Sequence, residues 1–295
     1  MYLEPEMREY MGDKPMSIRI VTDSNCDLPQ EIIEKHGITV VPMYINIGTK
    51  SYLDGVEMSR QEFYEGLADF EAHPQTSVPG PGQFFEVYEQ LAAEGASQIL
   101  SIHIGSSLSA VVNSARLAAE ELKTMSVTVF DSGNLTLGTG LQAVVAAEAA
   151  AAGRSMAEIV AMLEDLRERT YCFAALDTLK FLRRSGRLTR FQSSLGSVLQ
   201  LKPILKMHNG EVEMERVRTR TRAIERVIEL VEELGPLEEL TLVHTHAPDK
   251  GEILWRKAQD LFPTEGAPLS AEVTPVIGSH IGPRAVGFVA IQSRQ

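Results

Sequence analysis

The stretch "QILSIHIGSSLSAVVNSARLAAEELKTMSVTVFDS", residues 98–132, decides the fold. "QILSIHIG" is a short β-rich run that breaks into small polar residues, the mark of a strand ending at a site-bearing loop. "SLSAVVNSARLAAEELK" then reads as a helix and "SVTVFDS" as a second strand. Strand, helix, strand in succession is the signature of a parallel sheet covered on both faces.

The same alternation extends outward. Upstream, "SIRIVTDSNCDLP" is a strand closing on Asp23-Ser24-Asn25, and Asp27 is a candidate cap for a helix over "LPQEIIEKHG". "ITVVPMYINIG" reads as one further strand, and "MSRQEFYEGLAD" as a helix with Ser59 and Glu62 at capping-box spacing. In "QTSVPGPGQF", residues 75–84, prolines exclude a helix interior or a central strand, so Thr76 and Ser77 are expected on a stiff loop. Downstream come the Ala-rich helix "LGTGLQAVVAAEAAAAG" and a further helix, "SMAEIVAMLEDLRERT".

Near Thr170 the texture changes. "TLKFLRRSGRLTRFQSSLGSVLQ" predicts a short helix, a basic Gly turn and a second helix. "LKPILKMHNGEVEMERVRT" predicts two strands joined at His208-Asn209-Gly210, since Asn-Gly is a strong hairpin signal. After another helix, strand and helix, "LSAEVTPVIGSHIGPRAVGFVAIQ" is expected to hold the final strands. The fold class is therefore α/β. An N-terminal extension (1–15) precedes a parallel-sheet α/β/α domain (16–169) and a C-terminal mixed-sheet α/β domain (170–295).

The chain has 295 residues and a net charge of −12, with 44% apolar and 23% charged residues. An acidic protein without a long basic block is not built for nucleic acid or an anionic membrane surface. No apolar run reaches the roughly 20 residues a bilayer span needs, so no stable membrane insertion is expected. The charged first fifteen residues carry no signal-peptide core. Two cysteines, Cys26 and Cys172, point away from a disulfide framework and toward a reduced, cytoplasmic setting. Cys26 reads as a small buried hydrophobe.

Three small-polar loops, "TDSNCD", "HIGSSLSA" and "FDSGN", fall beyond strand C-termini, where such folds place their sites. Ser106, Ser107 and Ser109 crowd a strand-to-helix turn whose free N–H groups suit a carboxylate or phosphate, though serine is also a preferred helix cap. His280 stands between Gly278 and Gly282, so a backbone or ligand can approach and the imidazole can donate to an anion or act as a base. Arg183, Arg184, Arg187 and Arg190 surround one glycine. Arg218, Arg220 and Arg222 alternate at strand period, so one face is expected to be guanidinium-rich. Such forks suit carboxylate and phosphate, and a solvated surface is the plainer reading. His244 and His246 lack companions at metal-ligand spacing, and no metal is expected. Neither a Walker lysine nor a G-x-G-x-x-G follows the first strand.

Taken in order, "IVTDSNCDLP", "GITVVPMYINIG", "DGVEMSRQEFYEGL", "TSVPGPGQFFEVYEQL", "SIHIGSSLSAVVNSARLAAE", "FDS", "LDTLKFLRRSGRL", "KPIL", "VRTR" and "PVIGSHIGP" resemble the DegV family of bacterial fatty-acid-binding proteins, over nearly the whole chain from Ile18 onward. The resemblance implies two α/β domains and a buried long-chain fatty acid as ligand, with no cofactor. Its carboxylate would be held by Thr76, Ser77, Ser106 or Ser109, and His280. It also implies a lipid-binding carrier, not an enzyme, which presents the acid to a separate fatty acid kinase for acyl-phosphate formation. Arg187 and Arg218 or Arg220 would face the phosphate or the kinase. The serine loop departs from the family pattern at Gly105, Ala110 and Val111, which leaves open the serine that meets the head group. The rival reading is a serine-dependent acyl hydrolase, with Ser106 or Ser109 as nucleophile, His280 as base and Asp23 or Asp131 as orienting acid. No G-x-S-x-G elbow supports it.

Overall fold

A computed structural model describes residues 17–188, 201–263 and 266–294. The N-terminal extension, Arg190 and the helix expected after the basic Gly turn lie outside the described residues. The chain opens with β1 (Ile18–Asp23), a 3₁₀ turn (Ser24–Cys26), α1 (Gln30–His36) and β2 (Thr39–Val41). It continues through β3 (Tyr44–Ile47), β4 (Lys50–Leu53), α2 (Arg60–Gly66), β5 (Gln75–Ser77), α3 (Pro81–Ala93) and β6 (Gln98–His103). Then follow α4 (Val111–Glu121), β7 (Ser126–Asp131), α5 (Leu137–Ala151), α6 (Met156–Arg169), β8 (Thr170–Ala175) and α7 (Lys180–Arg184). The last part holds β9 (Lys202–His208), β10 (Glu211–Val217), α8 (Arg220–Glu232), β11 (Leu237–His244), α9 (Pro248–Ala258), β12 (Ser270–Glu272), α10 (Pro275–Ile281) and β13 (Val286–Gln292).

Three sheets form. The four parallel strands β2-β1-β6-β7 make the expected N-terminal sheet, and β10-β9-β8-β13-β11-β12 make a mixed six-stranded one. β9 and β10 pair antiparallel across Asn209-Gly210, both with positive φ (43° and 83°), as the hairpin signal requires.

The third sheet, β4-β3-β5, is a departure from the sequence reading. "ITVVPMYINIG" is not one strand: Pro42 cannot donate to a ladder, so the chain leaves the parallel sheet after Val41 and starts β3 elsewhere. Thr76 and Ser77 lie on an edge strand paired to β3, not on a free loop, while Pro81 sits in the first turn of α3, where its missing N–H is harmless.

α10 is a second departure, since its apolar residues read as strand. Thr274 accepts from the Val276 N–H at 3.2 Å, Pro275 supplies a helical φ, and Gly282 with φ 80° ends the helix. Similarly, Arg218, Arg220 and Arg222 do not alternate on a strand: β10 ends at Val217, and Thr219 caps α8 by accepting from the Arg222 N–H at 3.1 Å. Asp27 does not cap α1; it is buried and turns to other partners. The Ser59–Glu62 capping box is present.

The Ala-rich sequence of α5 has a packing reason. Its small side chains let β1 and β8 both approach it, and its buried Ala143, Ala146 and Ala147 share one apolar core with Ile20, Leu100, Cys172 and Val289. Gly140 faces the Cys26 carbonyl so closely that a Cβ would lie 2.4 Å from its oxygen. That contact seats the Ser24–Cys26 turn on the first turns of α5.

Candidate functional site

The order β2-β1-β6-β7 reverses between β1 and β6, because the chain runs from β1 to one side and from β6 to the other. Open α/β sheets place ligands in the crevice outside the carboxyl ends at such a switch point. Here that crevice is roofed by the second sheet and α10, giving a cavity of about 840 Å³. Its walls are largely apolar: Met43, Ile104 and Leu135 from one side, Leu205, Met207 and Val286 from the other. The volume falls within the range of roughly 300–1,000 Å³ usual for small-molecule sites.

The polar groups are unevenly spread. Exposed Ser77, Ser106, Ala110 and Arg187 border the cavity where it reaches solvent, and half-buried Thr76, Ser109 and His280 stand just inside. Buried Asn25, Thr136, Val243, Thr245 and Val273 also line it. Thr76 Oγ1 lies 3.1 Å from His280 Nε2, so β5 and the last turn of α10 bring together two residues 204 positions apart. Strand alternation separates the adjacent hydroxyls. Thr76 shares its face with buried Ile45, whereas the Ser77 hydroxyl accepts from Asn46 Nδ2 at 3.1 Å on the other face. Ser109 Oγ accepts from the Val111 N–H at 3.4 Å, and the Ser106 N–H donates to Asp131 at 3.1 Å.

The two glycines flanking His280 do not open a path for a ligand, as sequence reading expects. A Cβ on Gly278 would lie 2.2 Å from the Tyr64 hydroxyl, and one on Gly282 would lie 2.3 Å from the Phe181 ring. They admit aromatic neighbours that clamp α10. Of the arginines, Arg187 borders the cavity and donates to the Ser185 carbonyl at 2.8 Å. Arg218 and Arg220 are exposed and outside the lining, with Arg220 paired to Asp177 at 3.0 Å.

Sequence reading missed two buried polar networks. In one, Ser101 Oγ lies 2.7 Å from His103 Nε2, and His103 Nδ1 lies 3.0 Å from Asp23 Oδ2. Burial pushes the Asp23 carboxyl up, but the His103 ring, the Asn25 amide and the Ile104 N–H outweigh it and hold it below the usual range. This serine–histidine–aspartate chain is fully buried, lies outside the cavity lining, and takes the Tyr88 hydroxyl as a fourth member at 2.8 Å. It braces β1 against β6. Asp23 is thus committed to His103, not to His280. Ser101 and His103, two apart on a strand, were the available signal.

In the second network the buried Asp27 carboxylate meets Arg60 at 3.2 Å and accepts from the Thr274 N–H at 2.8 Å. Thr274 Oγ1 donates to Asp54, the Tyr64 hydroxyl donates to the Val273 carbonyl at 2.8 Å, and Arg60 donates to the Glu272 carbonyl. These bonds tie α2 and the Asp27 loop to the start of α10. Burial pushes the Asp27 carboxyl up to about 7, against the pull of Arg60. Burial likewise pushes the Cys26 and Cys172 thiols up to about 12, which leaves them inert as nucleophiles. Among the described residues no cluster of three or more His, Cys, Asp or Glu is arranged for a metal, and no helix is long and apolar enough to cross a membrane.

The model of the DegV family, described as uncharacterised, matches residues 17–293. A DegV domain-containing protein of Deinococcus radiodurans is 38% identical over 278 residues, covering 92% of this chain and 97% of the relative. One from Listeria innocua is 35% identical over 276 residues with the same coverage. Among solved structures, a DegV family protein from Thermus thermophilus described by its fatty acid binding superposes with a TM-score of 0.85 at 35% identity, over 94% of this chain and 100% of that one. DegV of Bacillus subtilis, described as a fatty acid binding protein, gives 0.85 at 29% identity with the same coverage.

Proposed function

The chain belongs to the DegV family, and we propose that it is a carrier that holds one long-chain fatty acid in the cavity between its two larger sheets. The observation that carries this reading is the cavity itself: about 840 Å³ and lined mostly by apolar side chains, with Thr76, Ser109 and His280 among its polar groups. Each methylene moved from water into such a lining contributes about 0.8 kcal/mol. A carboxylate cannot be buried unpartnered, and Thr76, His280 and the Ser106–Ser109 loop offer donors where the acid's head would rest.

In this reading Ser77 borders the mouth without aiming its hydroxyl inward, and Ser109 is better placed than exposed Ser106 to meet the head group. A carboxylate presented at an open mouth is accessible to a second protein. A fatty acid kinase that phosphorylates it would meet Arg187 at that rim, with Arg218 and Arg220 on the surrounding surface. The protein itself needs no catalytic residue and no cofactor for this task, and two unbridged cysteines suit a cytoplasmic setting. The hydrolase reading loses its orienting acid, since Asp23 is bound to His103 and Asp131 to the Ser106 and Gly133 N–H groups.

The test is mass spectrometry of lipid extracted from freshly purified, denatured protein. A stoichiometric long-chain acid is expected. Protein that carries no lipid and takes up none on titration would overturn the reading.

A further inference from the structure

One wall of the cavity is shaped by a residue that does not line it. Cys172, Met207 and Val212 are cross-strand neighbours on β8, β9 and β10, and all three line the cavity. Cysteine is short and valine is stiff at χ1, whereas methionine turns about three bonds. Met207 is therefore the member of this row that decides how far the wall projects. Its methyl end is turned to Gly105, where a Cβ would lie 3.1 Å from Met207 Cε. Gly105 is not part of the lining, although its neighbours Ile104 and Ser106 are. Nor does it have a positive φ, so space and not backbone conformation is what calls for glycine there.

Neither backbone is free to retreat from a side chain at that position. The Gly105 N–H donates to the Asn134 carbonyl at 2.7 Å, and the Gly105 carbonyl accepts from the Leu108 N–H at 2.8 Å. The same Cβ would lie 3.3 Å from backbone atoms of Gly133 and Asn134. Met207 is paired on both sides within its sheet, and the tip of its hairpin is pinned by the Gly210 N–H to the Gly133 carbonyl at 2.8 Å. What can yield is the flexible end of Met207. That side chain is buried among packed neighbours, and the cavity is the open space beside it. The cavity also has room to spare. At the roughly 30 Å³ that a water molecule takes up in the liquid, counted per heavy atom, the about twenty heavy atoms of octadecanoic acid fill roughly 600 Å³. The cavity holds about 840 Å³.

Resting on the carrier reading, we infer that Gly105 is a specificity-determining residue: by letting Met207 lie back, it keeps a place in the wall for a side branch on the acyl chain. The cargo then includes long-chain acids that carry a methyl branch within the chain.

The experiment is a titration of delipidated protein with octadecanoic acid and with monomethyl-octadecanoic acids whose branch moves along the chain. Over some run of branch positions, wild type should bind within about threefold of the straight acid. Gly105→Ala should weaken binding of those same acids about tenfold or more, the effect of one surplus methyl group in a filled pocket, and leave octadecanoic acid unchanged. Combining Gly105→Ala with Met207→Val should recover the branched acids, because valine has no long end to displace. That rescue separates an effect through Met207 from a general loss of structure. Should Gly105→Ala fail to fold, Met207→Phe takes its place: a rigid ring too large for the space beside Gly105 should give the same preference for the straight acid. Rejection of every branched acid by wild type, equal losses for straight and branched acids in Gly105→Ala, or a loss that persists in the double variant would overturn the inference while the carrier reading stands. Wild type that binds no octadecanoic acid would overturn the carrier reading, and this inference with it.

Discussion

Replacing Thr76 and Ser77 one at a time should separate two adjacent hydroxyls that the sequence presents as equivalent. Thr76→Val keeps a β-branched residue on β5, so the strand and its pairing with β3 persist. It removes the hydroxyl 3.1 Å from His280 Nε2, another residue of the cavity lining. A hydrogen bond to a charged group contributes about 1.5–3 kcal/mol, so affinity for a fatty acid should fall roughly ten- to a hundredfold. Ser77→Ala removes a hydroxyl that is exposed and bonded to Asn46 on the far face. Solvent replaces that bond, and the loss should stay under about twofold. The assay is calorimetric titration of delipidated protein with an acid and with its methyl ester, which lacks the anion. The ester should bind wild type and Thr76→Val almost equally. Equal losses for the two variants, or equal losses for acid and ester, would refute the reasoning and make β5 a wall of the cavity rather than a reader of the head group.

Arg187→Ala should keep its fatty acid through purification but lose kinase-dependent phosphorylation of it; loss of copurifying lipid with the fold intact would contradict this. His280→Gln, which keeps a donor, should bind more tightly than His280→Ala, and neither variant nor wild type should hydrolyse a chromogenic acyl ester. Gly278→Ala drives a methyl into the Tyr64 hydroxyl and should destabilise the protein by about 1–3 kcal/mol, read from urea midpoints; an unchanged midpoint would show that α10 shifts freely. Asp27 takes up its proton more readily folded, near pH 7, than unfolded, near 3.8, so its contribution to stability is full below about pH 4 and declines as pH rises toward 7. Asp27→Asn should therefore gain on wild type across that window, and a difference independent of pH would refute the assignment.

Much of the architecture was legible because hydrophobic runs and small polar loops alternate along the parallel sheet. The failures have local causes. β3 and β5 are only four and three residues long, too short for a period to show, and a single proline moves the chain from one sheet to another. Val276, Ile277 and Ile281 have β-forming side chains, yet Thr274 and Pro275 start a helix that propensity alone would not choose. At the site, residue chemistry offered Thr76, Ser77, Ser106, Ser109 and His280 alike, and only strand pairing shows that Thr76 and Ser77 lie on opposite faces of β5. The Asp27–Arg60–Thr274 network could not be read at all, since Asp27 and Thr274 stand 247 positions apart. A buried carboxylate looks the same in a sequence as a helix cap.

One consequence follows from the placement of α5. Because this helix presents its alanines to both large sheets, neither sheet can exclude water from its inner face without it. The halves of the chain should therefore melt together, in one calorimetric transition. Amides of β1 and β8 should share a single opening free energy in hydrogen exchange, although they belong to different sheets. A fragment ending before α5 would expose the apolar side of β1 and β6 and should aggregate, not fold. For a cavity that sits between those sheets, this means the container cannot loosen in part: it is either whole or gone.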